Sequence, residues 1–324
     1  MVKFEPGEGA APIEIMGHEM DEAYLDSVMT LMLSPEARQA HKDIKIVYTP
    51  IHGSGVEIVP EFLQKLGFEN IYHVPEQDVV DGNFPTVMSP NPEEPSALAM
   101  AVAVAEKEGA DLVMATDPDA DRIGIAVRDN DGKMVLLNGN QTASILTYYI
   151  LRRWSELGKL DGKQYIVKTI VTTELLRAIA EKFGVKVYNV LTGFKWIADI
   201  VKKNEGDTTF VCGGEESYGF NVGEFVRDKD APISCAFVAE CAAWAAAQGK
   251  TLYQLLQDIY AEFGYYKESL ISVTKKGKAG LEEIAQMMVD YRTNPPQELA
   301  GSPVIKVVDY TKPEETGLPS SNVL

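Results

Sequence analysis

Residues 111–127 read Asp111-Leu112-Val113-Met114-Ala115-Thr116-Asp117-Pro118-Asp119-Ala120-Asp121-Arg122-Ile123-Gly124-Ile125-Ala126-Val127. Two short apolar runs flank a polar loop, the pattern of two buried strands joined by a tight turn. The loop holds three carboxylates at alternate positions, Asp117, Asp119 and Asp121, closed by Arg122. Like charges so close together repel and are costly to desolvate, so a cation is expected to neutralise them. All-oxygen ligands favour a hard ion, with Mg²⁺ ahead of Mn²⁺ or Ca²⁺. The adjacent arginine implies that an anion such as phosphate shares the site.

Outward from this loop, β and α signals alternate in both directions. Upstream, a helix is expected over 19–41, a strand over 44–48, the turn His52-Gly53-Ser54-Gly55 and a helix over 56–66. A strand over 70–74 follows, then a proline-rich extended loop over 75–95 and a helix over 96–108 that leads into the acidic hairpin. Downstream the pattern repeats, with helices expected over 138–157, 173–183 (capped by Thr172 or Thr173) and 194–203. Strands are expected over 165–169, 185–190 and 209–212, the last running into Gly213-Gly214-Glu215-Glu216-Ser217-Tyr218-Gly219. Helices over 233–247 and 252–263 close this stretch, and residues 268–324 are expected to hold a strand, a helix over 281–291 and a strand over 304–309. Such alternation predicts an α/β fold: two consecutive α/β domains with mixed, mostly parallel sheets, plus partial flanking segments. The division expected is 1–40 linker and remnant, 41–137 with the acidic loop, 138–267 with the Gly-rich loop, and 268–324 linker and partial further domain.

The bulk properties narrow the function classes. At 324 residues the chain can hold two or three cores. A formal net charge of −18 argues against a nucleic-acid partner or an anionic membrane surface. No stretch of about 18 apolar residues is present to span a bilayer. Three cysteines without CxxC spacing suit a reduced compartment, so a cytoplasmic location is expected.

Calcium-loop chemistry is disfavoured, because Arg122 and Arg128 stand where an EF-hand loop needs Gly and Glu. A metal-dependent phosphatase with Asp117 as nucleophile stays open, although Asp121 replaces the Thr or Val that such a hairpin favours. A solvated acidic turn fits the apolar flanks badly. Glu215 and Ser217 alternate on a loop with flanking glycines, so a strong acceptor and a hydroxyl could meet a closely approaching polar ring.

Several motifs in order carry a specific resemblance. Thr116-Asp117-Pro118-Asp119-Ala120-Asp121-Arg122 resembles the metal loop of the α-D-phosphohexomutases, a family of phosphoglucomutases, phosphomannomutases and related phosphopentomutases. Its spelling, with Ser89-Pro90-Asn91-Pro92-Glu93-Glu94 before it, resembles the bacterial phosphoglucomutase/phosphomannomutase branch. Gly214-Glu215-Glu216-Ser217-Tyr218-Gly219 resembles the family's sugar-recognition loop, Leu191-Thr192-Gly193-Phe194-Lys195-Trp196 its Thr-Gly-aromatic-Lys segment, and Arg227-Asp228-Lys229-Asp230 the basic stretch that follows. Tyr48-Thr49-Pro50-Ile51-His52-Gly53 is similar to an early turn of the family's second domain.

The resemblance implies an intramolecular phosphotransferase that interconverts hexose 1-phosphate and 6-phosphate through a hexose 1,6-bisphosphate. Its partners would be glucose or mannose 1- and 6-phosphates. It implies Mg²⁺ on Asp117, Asp119 and Asp121, a catalytic Arg122 near the transferred phosphoryl group, and substrate binding by Thr192, Glu215, Ser217 and Lys229. Lys195 and Lys168 are weaker candidates, and His52 is expected to stabilise its turn rather than act as a base. The family's phosphoserine loop (Thr-Ala-Ser-His-Asn-Pro-like) and its Arg-x-Ser-Gly-Thr-Glu-Pro phosphate grip are not found in this sequence. The chain as given is therefore expected to lack mutase turnover. A phosphopentomutase of the same family, the phosphatase and a non-catalytic sugar-phosphate-binding module stay open as alternatives.

Overall fold

The structure, a computed structural model, describes residues 14–268 and 273–323. The chain begins with α1 (His18–Met29) and α2 (Pro35–Ala40), then β1 (Lys45–Thr49), α3 (Ile58–Lys65), β2 (Asn70–His73) and α4 (Pro95–Glu108). The hairpin β3 (Leu112–Thr116) and β4 (Ile123–Arg128) leads to β5 (Met134–Leu137). There follow α5 (Gly139–Glu156), β6 (Gln164–Thr169), α6 (Leu175–Lys182), β7 (Lys186–Val190), α7 (Phe194–Lys203) and β8 (Thr209–Gly214). The chain continues through β9 (Phe220–Val222), α8 (Ala231–Ala246) and α9 (Leu252–Phe263) to α10 (Gly277–Thr293) and a short hairpin, β10 (Glu298–Leu299) and β11 (Ser302–Pro303). Among the described residues no helix is long and apolar enough to cross a membrane.

The chain divides into two compact units, Met1–Asn138 with Gly219–Leu255, and Gly139–Tyr218 with Leu256–Leu324. In the first, the sheet runs β2-β1-β3-β4-β5. Strands β2, β1 and β3 are parallel, and β4 and β5 continue antiparallel. The acidic loop is thus the turn of a hairpin whose two strands are almost wholly buried. Small residues on α4 (Ala97, Ala101, Ala105) let that helix lie close on Val47, Val113 and Ala126 of the sheet.

Helix α8 is apolar on all sides and correspondingly buried, packed on α2, α3 and β4. It therefore belongs by contact with the first unit, whereas the sequence order grouped it with the 138–267 segment. Its one acid, Glu240, is fully buried and accepts the N–H groups of Leu33 and Ser34, each at 2.9 Å, and Arg38 Nε at 3.0 Å. This contact explains why the helix expected over 19–41 breaks into α1 and α2. Residues 33–34 give their N–H groups to Glu240, and Pro35 keeps Ser34 out of helical geometry. Arg38→Met is expected to cost about 3 kcal/mol in urea unfolding, because it leaves the buried carboxylate without its counter-charge.

In the second unit β6 is flanked by β7 and β8, all parallel. Alternate residues of β6, Tyr165 and Val167, pack with Phe194, Ile197 and Val201 of α7. A register shift between β6 and β8 at Tyr165/Ile166 falls just before β8 enters the Gly-rich loop, where a bulge can re-aim the following side chains. The cap expected at Thr172 or Thr173 is Glu174 by backbone position. Thr173 Oγ1 accepts the Leu175 N–H instead, and Thr172 turns its hydroxyl to Glu216. The strand expected over 304–309 does not form. Ile305 and Val307 are exposed, so no buried face holds that segment in a sheet. The strand expected after Glu268 falls partly on 269–272, outside the described residues.

Candidate functional site

The acidic loop is shaped by its own first carboxylate. Asp117, only 4% exposed, accepts the N–H groups of Asp121 at 3.0 Å and Arg122 at 2.9 Å through Oδ1. These bonds fold Asp119 and Asp121 back toward it, so that one oxygen from each of the three acids lies within 4.8 Å of the others. Burial, then the charges of Asp121 and Asp119, push the Asp117 carboxyl up to about 7. Two cations offset the cluster. Arg122 Nε lies 3.3 Å from Asp117 Oδ2 and 3.5 Å from Asp121 Oδ1, and Lys229 Nζ lies 2.9 Å from Asp121 Oδ2. Asp121 Oδ1 is buried and accepts no hydrogen bond. A buried anionic oxygen that takes no hydrogen bond and has only the long Arg122 ion pair beside it, amid oxygen-only ligands, fits a small hard dication.

Neighbouring segments of the same unit hold the loop from several sides. The Ser54 N–H and hydroxyl both donate to Pro118 O, at 2.9 and 3.0 Å. Gly53 permits this approach, since a Cβ there would stand 2.5 Å from Pro118 Cα and 2.9 Å from Asp117 O. His52 is buried with both ring nitrogens engaged, Nδ1 with Val79 O and Nε2 with Thr86 Oγ1, each at 2.8 Å. Its geometry is that of a turn brace. From α8, the Ala231 N–H donates to Ala120 O at 3.1 Å, and Arg122 bridges to Gly219. Glu93 stands 3.6 Å from Arg122 Nη1. Sequence reasoning assigned Glu93 no role of its own, although it lies in the Ser89–Glu94 run that carries the branch resemblance; only folding brings it to the arginine.

Residues 213–218 of the Gly-rich loop belong to the second unit, and Gly219 to the first. Glu215 is 6% exposed and accepts the Gly193 N–H through Oε1 at 2.8 Å, which joins the two motifs Thr192-Gly193 and Glu215-Glu216-Ser217. Thr192 is exposed and Ser217 half-buried. Glu216 is the loop's anchor: its Oε2 accepts the hydroxyls of Thr169 at 3.1 Å and Thr172 at 3.2 Å. Lys195 is exposed, its Nζ 5.3 Å from the Trp196 ring centroid. Lys168, a weaker binding candidate by sequence, is fully buried. Its Nζ donates to Thr169 O at 3.0 Å and Thr172 O at 2.8 Å and pairs with Glu174 at 2.8 Å, and burial lowers its pKa. The structure thus brings Asp117, Asp119, Asp121, Arg122 and Lys229 together in one unit, and Thr192, Glu215 and Ser217 in the other.

Residues 22–132 match the family description "Phosphoglucomutase/phosphomannomutase, alpha/beta/alpha domain II", and residues 138–263 match "alpha/beta/alpha domain III". A phosphoglucomutase of Staphylococcus aureus (strain N315) is 39% identical over 272 residues, which are 84% of this chain and 49% of that protein. The chain thus spans about half the length of the curated relatives it matches. Among solved structures, a putative phosphomannomutase from Thermus thermophilus is similar with a TM-score of 0.62 at 26% identity, over 76% of this chain and 51% of that one. The open form of the Paramecium phosphoprotein pp63/parafusin shares the fold, with a TM-score of 0.59 at 16% identity over 84% of this chain and 47% of that one. The chain belongs to the α-D-phosphohexomutase family.

Proposed function

We propose that this chain supplies the cation-binding and sugar-recognition parts of a phosphoglucomutase/phosphomannomutase. The observation that carries the reading is the acid triad, whose oxygens converge within 4.8 Å beside Arg122 and Lys229. Asp117, Asp119 and Asp121 would hold Mg²⁺. When bound, such an ion stabilises charge on the oxygens of a transferring phosphoryl group. Arg122 and Lys229 add positive charge for the phosphate oxygens. Glu215 keeps an acceptor oriented by the Gly193 N–H for a sugar hydroxyl, with Ser217 and Thr192 as further hydroxyl partners. Glucose and mannose 1- and 6-phosphates and their 1,6-bisphosphate are the proposed ligands.

The test is calorimetry of the purified chain with glucose 1-phosphate and Mg²⁺, paired with a coupled assay for glucose 6-phosphate. Binding that Glu215→Gln weakens at least about tenfold, without measurable turnover, is the expected result. Binding unaffected by that substitution would refute the sugar-loop assignment, and enzyme-like turnover would refute the predicted inactivity. Hydrolysis of an aryl phosphate, lost in Asp117→Asn, would favour the phosphatase reading instead.

A further inference from the structure

Lys229 stands between two carboxylates. Its Nζ is 2.9 Å from Asp121 Oδ2 and 3.4 Å from Asp228 Oδ1, and Asp228 is 72% exposed while Lys229 is 18% exposed at its side chain. The backbone that carries it is fixed immediately after it. The Asp230 N–H donates to Phe220 O at 3.2 Å, and the Ala231 N–H donates to Ala120 O at 3.1 Å. The Asp230 carboxylate caps α8 by accepting the Ile233 N–H at 2.8 Å, and it takes the Tyr24 hydroxyl at 2.8 Å. A long, flexible side chain on a fixed stem can therefore exchange partners without moving the loop beneath it.

The Asp121 carboxylate has two possible uses. It can hold the ammonium, as here, or it can serve a divalent cation in the triad. An ammonium and a dication at one carboxylate repel each other strongly in a partly buried site. We propose that Lys229 is a displaceable counter-ion of Asp121: a divalent cation entering the triad releases it, and the released ammonium, steadied by Asp228, takes a phosphate monoester. Cation and phosphate binding then favour each other through this one side chain, and by linkage each raises the other's affinity by the same factor. The inference rests on the cation-binding reading of the triad given above.

The experiment is calorimetric titration of Mg²⁺ into the purified chain, as wild type, Lys229→Met and Lys229→Arg, with and without glucose 1-phosphate. In phosphate-free buffer Lys229→Met is expected to bind Mg²⁺ about tenfold tighter than wild type, whereas Lys229→Arg keeps the wild-type affinity. Glucose 1-phosphate should tighten Mg²⁺ binding about fivefold or more in wild type, and that gain should disappear in Lys229→Met. Equal or weaker Mg²⁺ binding by Lys229→Met overturns the displacement. Retention of the full mutual effect in that variant overturns the coupling through the lysine. Both of these outcomes leave the triad as a cation site. A wild-type chain that binds no Mg²⁺ would instead overturn the triad reading together with the inference.

Discussion

Asp117→Asn is expected to abolish Mg²⁺ binding and, without the cation, to make the first unit more stable at pH 8. The carboxyl titrates near 3.8 in an open chain and about 7 in the fold, chiefly because it is buried and then because Asp121 and Asp119 repel its charge. A raised folded pKa means that the folded state holds the proton more tightly than the unfolded chain does. This carboxyl's contribution to stability is then full below about pH 4 and falls as pH rises toward about 7, where the folded carboxyl finally ionises. The loss above that window is on the order of 4 kcal/mol. Asparagine keeps an oxygen for the N–H groups of Asp121 and Arg122, so the loop can close without the buried charge. Thermal melts should show the wild type gaining from Mg²⁺ far more at pH 8 than at pH 5, with Asp117→Asn gaining at neither. Loss of a charged ligand should reduce affinity by at least about 100-fold, since loss of a mere outer partner costs about 10- to 100-fold. An Asp117→Asn variant that still melts higher with Mg²⁺ would remove Asp117 from the proposed ligand set.

Gly139→Ala is expected to disable the Gly-rich loop while leaving the acid loop intact. A Cβ at position 139 would stand 2.0 Å from Glu216 O and 2.8 Å from both Glu216 C and Tyr218 N. Those atoms are backbone, and the anchored Glu216 side chain holds them in place through Thr169 and Thr172. The start of α5 and the loop must therefore separate, at about 3 kcal/mol of stability. With the loop displaced, Glu215 loses its alignment with the Gly193 N–H, and glucose 1-phosphate affinity should fall more than about tenfold. Mg²⁺-induced stabilisation should persist, because the contacts that hold the acid loop come from its own unit. Urea unfolding and calorimetry on one preparation separate these effects. Unchanged sugar-phosphate affinity would mean that the loop's position is not set by its approach to Gly139.

Much of the scaffold was legible because its signals are local. The alternation of apolar runs with Gly and Pro punctuation located β1, β3, β4, β6 and β8, and the 3.6-residue pattern located α7 and α9 to the residue. The misreadings had tertiary causes. The break between α1 and α2 depends on Glu240, which lies 207 positions along the chain from Leu33 and 206 from Ser34. The burial of Lys168 depends on carbonyls and an acid that only the folded turn collects around its Nζ. The expected 304–309 strand had the composition of a strand but no surface to bury against.

The acidic hairpin and the Gly-rich loop are each one contiguous stretch of sequence, so residue types and spacing alone showed what they carry: three carboxylates with an arginine, and an acceptor with a hydroxyl among glycines. What the tertiary structure decided is which groups share charge and space with them. It placed Lys229 on Asp121, tied Glu215 to the Gly193 N–H, and left Asp121 Oδ1 buried without a hydrogen bond. Spacing along a chain records ligands carried by one turn. Charge neutralisation and backbone hydrogen bonding act through space, between segments whose neighbourhood exists only after the sheet and its helices have packed.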